Sequence, residues 1–152
     1  MKSEIKDAFQ KVAAGFEARL DEEQKALEKR LSDRQQFEAG WRDVRDRIVI
    51  PALKQIREEI LTPAGWTSAV RTDDKEVSVT LEVHKGEMRA LGSTRMPSIT
   101  FAPDKYSPTV FAVTQSISQG GGQGGKVALG EVTEEFVQTK VLMLFERLAS
   151  GG

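Results

Sequence analysis

The amino-acid sequence predicts an α+β fold: an N-terminal long helix or helical hairpin, an antiparallel β-meander of four to six strands, and a C-terminal helix packed on the sheet. Three observations carry this expectation. The first sixty residues space their apolar side chains at the period of about 3.6 residues that marks a helix. After Gly65 that spacing gives way to the alternation of about two residues that marks a strand. From Val132 the helical period returns and holds to Ala149.

In the first helix, Ile5, Phe9, Val12, Phe16 and Leu20 recur at steps of three or four residues, which places them on one face. Leu27 and Leu31 extend the stripe, while Gln24 interrupts it, so the stretch from Asp21 to Lys25 is expected to be solvated. Asp21 with Lys25 and Lys29 with Asp33 form i,i+4 pairs, each worth about 0.2–0.5 kcal/mol to a helix that has little core to lean on. A second stripe runs through Phe37, Trp41, Val44, Ile48, Ala52, Ile56 and Ile60. At about 100° per residue its face lies about 80° from the first.

Ser32-Asp33-Arg34-Gln35 has the S-x-x-Q form of a capping box, in which the hydroxyl and the amide satisfy free amide groups at a helix start. Either the first helix ends near Leu31 and a second begins at this cap, or one helix runs through with a twisting seam. The expected organisation is residues 1–31 as an amphipathic oligomerisation or docking segment and residues 32–152 as the globular domain. Pro51 lies inside the second stripe without upsetting its phase, which predicts a kink rather than a stop. Thr62-Pro63-Ala64-Gly65 supplies the stop.

Glu76 to His84 alternates strictly, with Val77, Val79, Leu81 and Val83 on one face, and reads as a half-buried strand. Trp66 to Arg71 precedes it across a turn at Thr72 to Lys75. Pro97 to Ala102 and Thr109 to Ser118 supply two further strands, with Arg89 to Leu91 and Val127 to Gly130 as shorter candidates. Sequential strands with short turns predict an antiparallel sheet with one dry face. The C-terminal helix, entered through Gly130 or Thr133, carries Val137, Val141, Leu144 and Leu148 as a stripe widened by Phe136, Leu142, Met143 and Phe145. That breadth suits a helix covering the dry face, with the Trp41 to Ile60 segment beside it.

Composition narrows the function classes. A chain of 152 residues with 39% hydrophobic content can bury a real core. Its formal net charge of −1 gives no field that would favour nucleic acid or an anionic membrane. The first sixty residues hold thirteen basic and thirteen acidic side chains, so the segment is a neutral helix and not a basic arm. No apolar run reaches the roughly 20 residues of a membrane span, and the charged start from Met1 to Asp7 is unlike a signal peptide. A cytoplasmic protein is expected. The absence of cysteine excludes disulfides, thiolate zinc sites and cysteine nucleophiles.

Few motifs carry chemistry. Gly120, Gly121, Gly122, Gly124, Gly125 and Lys126 satisfy the G-x-x-x-x-G-K spacing of a phosphate-binding loop, in which backbone amides cradle phosphate and the lysine neutralises it. Val127 stands where a hydroxyl should hold magnesium, and the following residues read as strand, so a loop between strands is the plainer expectation. His84 is the single histidine and lies on the polar face of its strand with no nucleophile motif to serve. Asp73-Asp74 suits a turn, and Glu134-Glu135 suits the first turn of a helix. Arg42, Arg45 and Arg47 flank Trp41 in a grouping that could stack a base, yet Asp43 and Asp46 cancel their field. Lys85, Arg89 and Arg95 form a sparser basic set, and the final Ser150-Gly151-Gly152 reads as a helix cap.

No catalytic residue, metal ligand or cofactor is expected from this inventory. The expected role is a non-enzymatic interaction or assembly module of coiled-coil type. Its partner, a protein or another copy of the chain, would bind the stripe Ile5, Phe9, Val12, Phe16, Leu20, Leu27 and Leu31. The alternative is a small anion or nucleotide ligand held by the Gly120–Lys126 loop.

Overall fold

The computed structural model describes residues 2–86, 96–115, 122–123 and 125–150. The fold is α+β: a long N-terminal helix, an antiparallel sheet and a C-terminal helix. By their internal contacts the residues form two compact units, Met1–Gln36 and Phe37–Gly152.

Helix α1 spans Ser3–Val44 without a break. The capping motif at Ser32 therefore lies inside a helix, which settles the hairpin alternative in favour of one continuous element. The physical reason is that a cap requires its own residue to leave helical geometry. The residues around Ser32, among them Arg30, Leu31, Arg34 and Gln35, are competent helix formers that give the chain no cause to do so. The change of apolar phase between Leu31 and Phe37 therefore falls within one helix.

Beyond Val44 the helical path continues through a π-turn at Arg45–Val49, helix α2 at Ile50–Ile56 and a second π-turn at Arg57–Leu61. The first π-turn is closed by the Ile50 amide donating to the Arg45 carbonyl. Pro51 follows at once. Proline offers no N–H and its ring crowds the carbonyl four residues back, so a widened turn carries the helix past it. The helix then ends as its Pro-Ala-Gly sequence requires. Gly65 takes a positive φ of 86°, and the Trp66 amide reaches back to the Leu61 carbonyl at 2.9 Å.

The sheet contains β1 (Thr67–Asp73), β2 (Ser78–His84), β3 (Ser98–Pro103), β4 (Thr109–Gln115), β5 (Gly122–Gln123) and β6 (Val127–Ala128). Its order is β1-β2-β3-β4-β5, with β6 also paired to β4. Every pairing is antiparallel. The register sets Leu81 opposite Ile99, Val79 opposite Phe101 and Phe101 opposite Ala112, so the large apolar side chains share one face. On the other face, the hydroxyls of the paired Thr80 and Thr100 lie 2.8 Å apart and Arg71 Nε meets Glu82 at 3.1 Å. The short strand expected at Arg89 to Leu91 lies outside the described residues.

A short 3-10 turn, Leu129–Glu131, leads to the C-terminal helix α3, Glu134–Ala149. Thr133 caps it, its hydroxyl accepting the Phe136 amide at 3.2 Å. Val137, Val141 and Leu144 of α3 join Val49, Leu53 and Ile56 over the dry face of the sheet in one core. Phe37, Trp41 and Val44 from the end of α1 belong to that same core.

Trp41 is fully buried, and its indole N–H donates to the Val77 carbonyl. Val77 was expected inside a strand, yet it closes the β1–β2 turn at φ 51°, a conformation that a β-branched residue adopts only under constraint. The indole bond supplies part of that constraint. Asp73 Oδ1 supplies more, accepting the amides of Lys75 at 2.9 Å and Glu76 at 3.2 Å. Trp41→Phe keeps a ring in the core but removes the donor, and is expected to lower the unfolding free energy by about 1–3 kcal/mol in urea denaturation.

Candidate functional site

The strongest candidate surface lies on the first unit. Ile5, Phe9, Val12, Phe16, Leu20, Leu27 and Leu31 are all exposed, from 47% for Leu20 to 72% for Val12. Single exposed apolar residues are ordinary on a protein surface, whereas seven aligned along one helix face, interrupted at Gln24, form an unusually long exposed apolar stripe. Arg19 Nε lies 3.5 Å from Glu23, and the Gln24 amide donates to Glu28 at 3.4 Å, so the solvated interruption of the stripe is laced by its own i,i+4 contacts. A side chain built at Gly15 would meet nothing within 4 Å in this chain. A glycine here costs a helix about 1 kcal/mol relative to alanine, and no close packing among the described residues accounts for it.

The glycine-rich loop is described in part. Gly120, Gly121 and Gly124 lie outside the described residues. Gly122 belongs to β5, paired with Thr114 of β4, and Gly125 and Lys126 are exposed before β6. A strand, β6, and not a helix N-terminus follows Lys126. Lys126 Nζ sits 3.3 Å from Asp104 Oδ1. Asp104, in the turn between β3 and β4, also accepts the Ser107 hydroxyl at 2.6 Å and the Tyr106 amide at 3.2 Å. The Ser107 bond does most to hold the Asp104 carboxyl below its ordinary pKa. Partial burial opposes it, and Lys126 and the Tyr106 amide reinforce it. This cluster fastens the β3–β4 turn to the entry of β6.

The remaining sequence candidates resolve into structural uses. Trp41 is sealed in the core, which removes it as a stacking platform. Arg45 is 5% exposed, with Nε 3.0 Å from Asp46 and a terminal nitrogen 3.4 Å from Asp74, while Arg47 pairs with Asp43 at 3.2 Å. The arginine next to the tryptophan therefore ties the helical segment to the β1–β2 turn. Asp73 shapes that turn, and Glu134 accepts the Gln138 amide at 3.3 Å in the first turn of α3. His84 ends β2 opposite Thr67, half-buried. Lys85 lies over the Trp66 ring, 5.8 Å from its centroid, whereas Arg89 and Arg95 lie outside the described residues. Ser150 caps α3, its hydroxyl donating to the Arg147 carbonyl at 2.9 Å.

One surface escaped the sequence reading. Ile56, Ile60 and Ala64 face Val141, Leu142 and Phe145 of α3 across a groove of about 580 Å³ that Trp66 also lines. Trp66 and Phe145 meet edge to face at 5.0 Å. The polar side chains Gln55 and Gln138 at this groove are engaged within their own helices, by Glu59 and Glu134. Three separate segments build the groove, and no spacing within any one of them could announce it. The only signal was the unusual breadth of the apolar face on α3.

No protein-family model matches this chain, and no curated protein or solved structure shows significant similarity to it. Among the described residues, no helix is long and apolar enough to cross a membrane.

Asp104 generates a pH prediction. A carboxyl whose folded pKa is lowered stabilises the protein above its unfolded pKa, about 3.9, and loses that contribution as pH falls through the folded value. Asp104→Asn is therefore expected to be less stable than the parent at pH 7, with the difference shrinking as acid is added below about pH 4. Thermal melts across that range check it.

Proposed function

We propose that this chain is a non-enzymatic interaction or assembly module that self-associates through the apolar stripe of its N-terminal helix. The observation that supports this reading is the exposure of all seven stripe residues on a regular helix. Fully burying a Leu, Ile or Phe side chain gives about 1.5–3 kcal/mol, so covering the half-exposed stripe releases on the order of 10 kcal/mol gross. Loss of translational and rotational freedom offsets part of that gain. A second copy is a suitable cover because it brings an equally long apolar stripe.

Helix physics supports the same reading. Isolated helices are marginal in water, and most helical stability in proteins comes from burying an amphipathic face. Residues 3–36 are exposed along almost their whole length, which leaves propensity and weak i,i+4 pairs as their support. Acidic and basic residues are mixed over the polar face, whereas adsorption to an anionic lipid surface favours a Lys/Arg-rich one. The glycine-rich loop is not needed by this function, and its lysine is engaged by Asp104.

Deleting residues 1–31 is expected to lower the mass measured by light scattering while leaving the strand signal in circular dichroism intact. An unchanged mass would sink the proposal. Phe9→Glu with Phe16→Glu in the full chain is expected to shift the protein to monomer, because burying two charges in an apolar seam costs several kcal/mol.

A further inference from the structure

We infer that the two copies pair in parallel and in register on an eleven-residue repeat, an inference that rests on the self-association proposed above. Ile5, Phe16 and Leu27 occupy one position of this repeat, and Phe9, Leu20 and Leu31 another. Eleven residues at about 100° each overshoot three full turns by about 20°. The stripe therefore stays on one face with a slow drift, the pattern of a right-handed supercoil, where a heptad would drift the other way.

Spacing alone leaves the orientation open. Read backwards the stripe is nearly the same, so an antiparallel pair could set Ile5 against Leu31, Phe9 against Leu27 and Phe16 against Leu20. Charge decides between them. At eleven-residue spacing one flank of the stripe carries Lys6, Glu17 and Glu28, and the other carries Ala8, Arg19 and Arg30, with Glu4 one turn before Ala8. In a parallel two-fold pair, the first flank of one copy lies beside the second flank of the other at the same height. Glu17 then approaches Arg19 of the second copy and Glu28 approaches Arg30, while Lys6 lies level with the neutral Ala8 and has Glu4 one turn away. The charges are opposite at both levels where each flank carries one.

An antiparallel pair would instead set each flank against itself. Lys6 would find Glu28 and Glu4 would find Arg30, but Glu17 would meet Glu17 and Arg19 would meet Arg19 at the centre. The parallel pair has its own weak layer at Glu23, which takes the seam position that Val12 holds in the first repeat. There the carboxylate already has Arg19 of its own helix at 3.5 Å. Ala8, Gly15 and Ala26 keep the Arg19 flank low, and the open space at Gly15 leaves room for a second helix.

The chain contains no cysteine, so one introduced thiol reports the orientation directly. Under mild oxidation Ile5→Cys is expected to form a disulfide-linked dimer by itself. Cross-linking only in a mixture of Ile5→Cys with Leu31→Cys would overturn the parallel pair while leaving self-association intact. A dimer that cross-links in neither case would overturn the register. A parent protein that sediments as a monomer would overturn the underlying proposal as well. The charge match has a separate test at low salt: Glu17→Arg with Glu28→Arg is expected to weaken dimerisation about tenfold. Adding Arg19→Glu and Arg30→Glu is expected to restore it, and failure to restore would contradict the pairing.

Discussion

A helix buries apolar surface only along the stripe it turns toward a neighbour, and in this chain the stripe changes direction within one unbroken helix. From Phe37 onward, α1 presents Phe37, Trp41 and Val44 to a core that includes the sheet and α3. Before that point its apolar residues face water. The phase difference of about 80° places the two stripes on different faces of the helical sequence. One stripe is satisfied by the chain's own sheet, and the other is the basis of the assembly proposal.

The globular unit is secured at the place where the helical path enters it. Trp41 donates to the carbonyl of a strained Val77, and buried Arg45 pairs with Asp74 in the same turn. A buried cation is costly unless its charge is met, so Arg45 couples the helix and the hairpin more tightly than a surface ion pair would. A comparable polar fastening holds the β3–β4 turn, where Asp104 gathers Ser107, the Tyr106 amide and Lys126. Trp41, Arg45, Asp74 and Lys126, which the sequence offered as candidates for chemistry, are all used in these contacts. The apolar stripe of residues 5–31 has no such internal use.

Much of this arrangement was legible in the sequence because it depends on periodicity. The alternation from Val79 to Val83, the stop at Gly65 and the Thr133 cap each follow from local rules that tertiary contacts did not override. What was illegible depends on partners distant in the chain. The Ser32 motif reads as a cap only if the backbone leaves helical geometry, and nothing in the four residues themselves decides that. Val77 matched the strand pattern, yet Trp41, thirty-six residues earlier, engages its carbonyl outside the strand. Lys126 fitted a phosphate-loop spacing whose meaning changed once Asp104 lay beside it. The stripe from Ile5 to Leu31 was evident from spacing, whereas its exposure was a property of the folded chain alone.

Hydrogen exchange measured over a range of protein concentrations tests the central claim most directly, because it reads the amides of residues 5–31 in the intact chain. A helix stabilised by a second copy gains protection as concentration rises, while the sheet amides remain unchanged. Fast exchange of the segment at every concentration would contradict the account, as would slow exchange that does not vary with concentration.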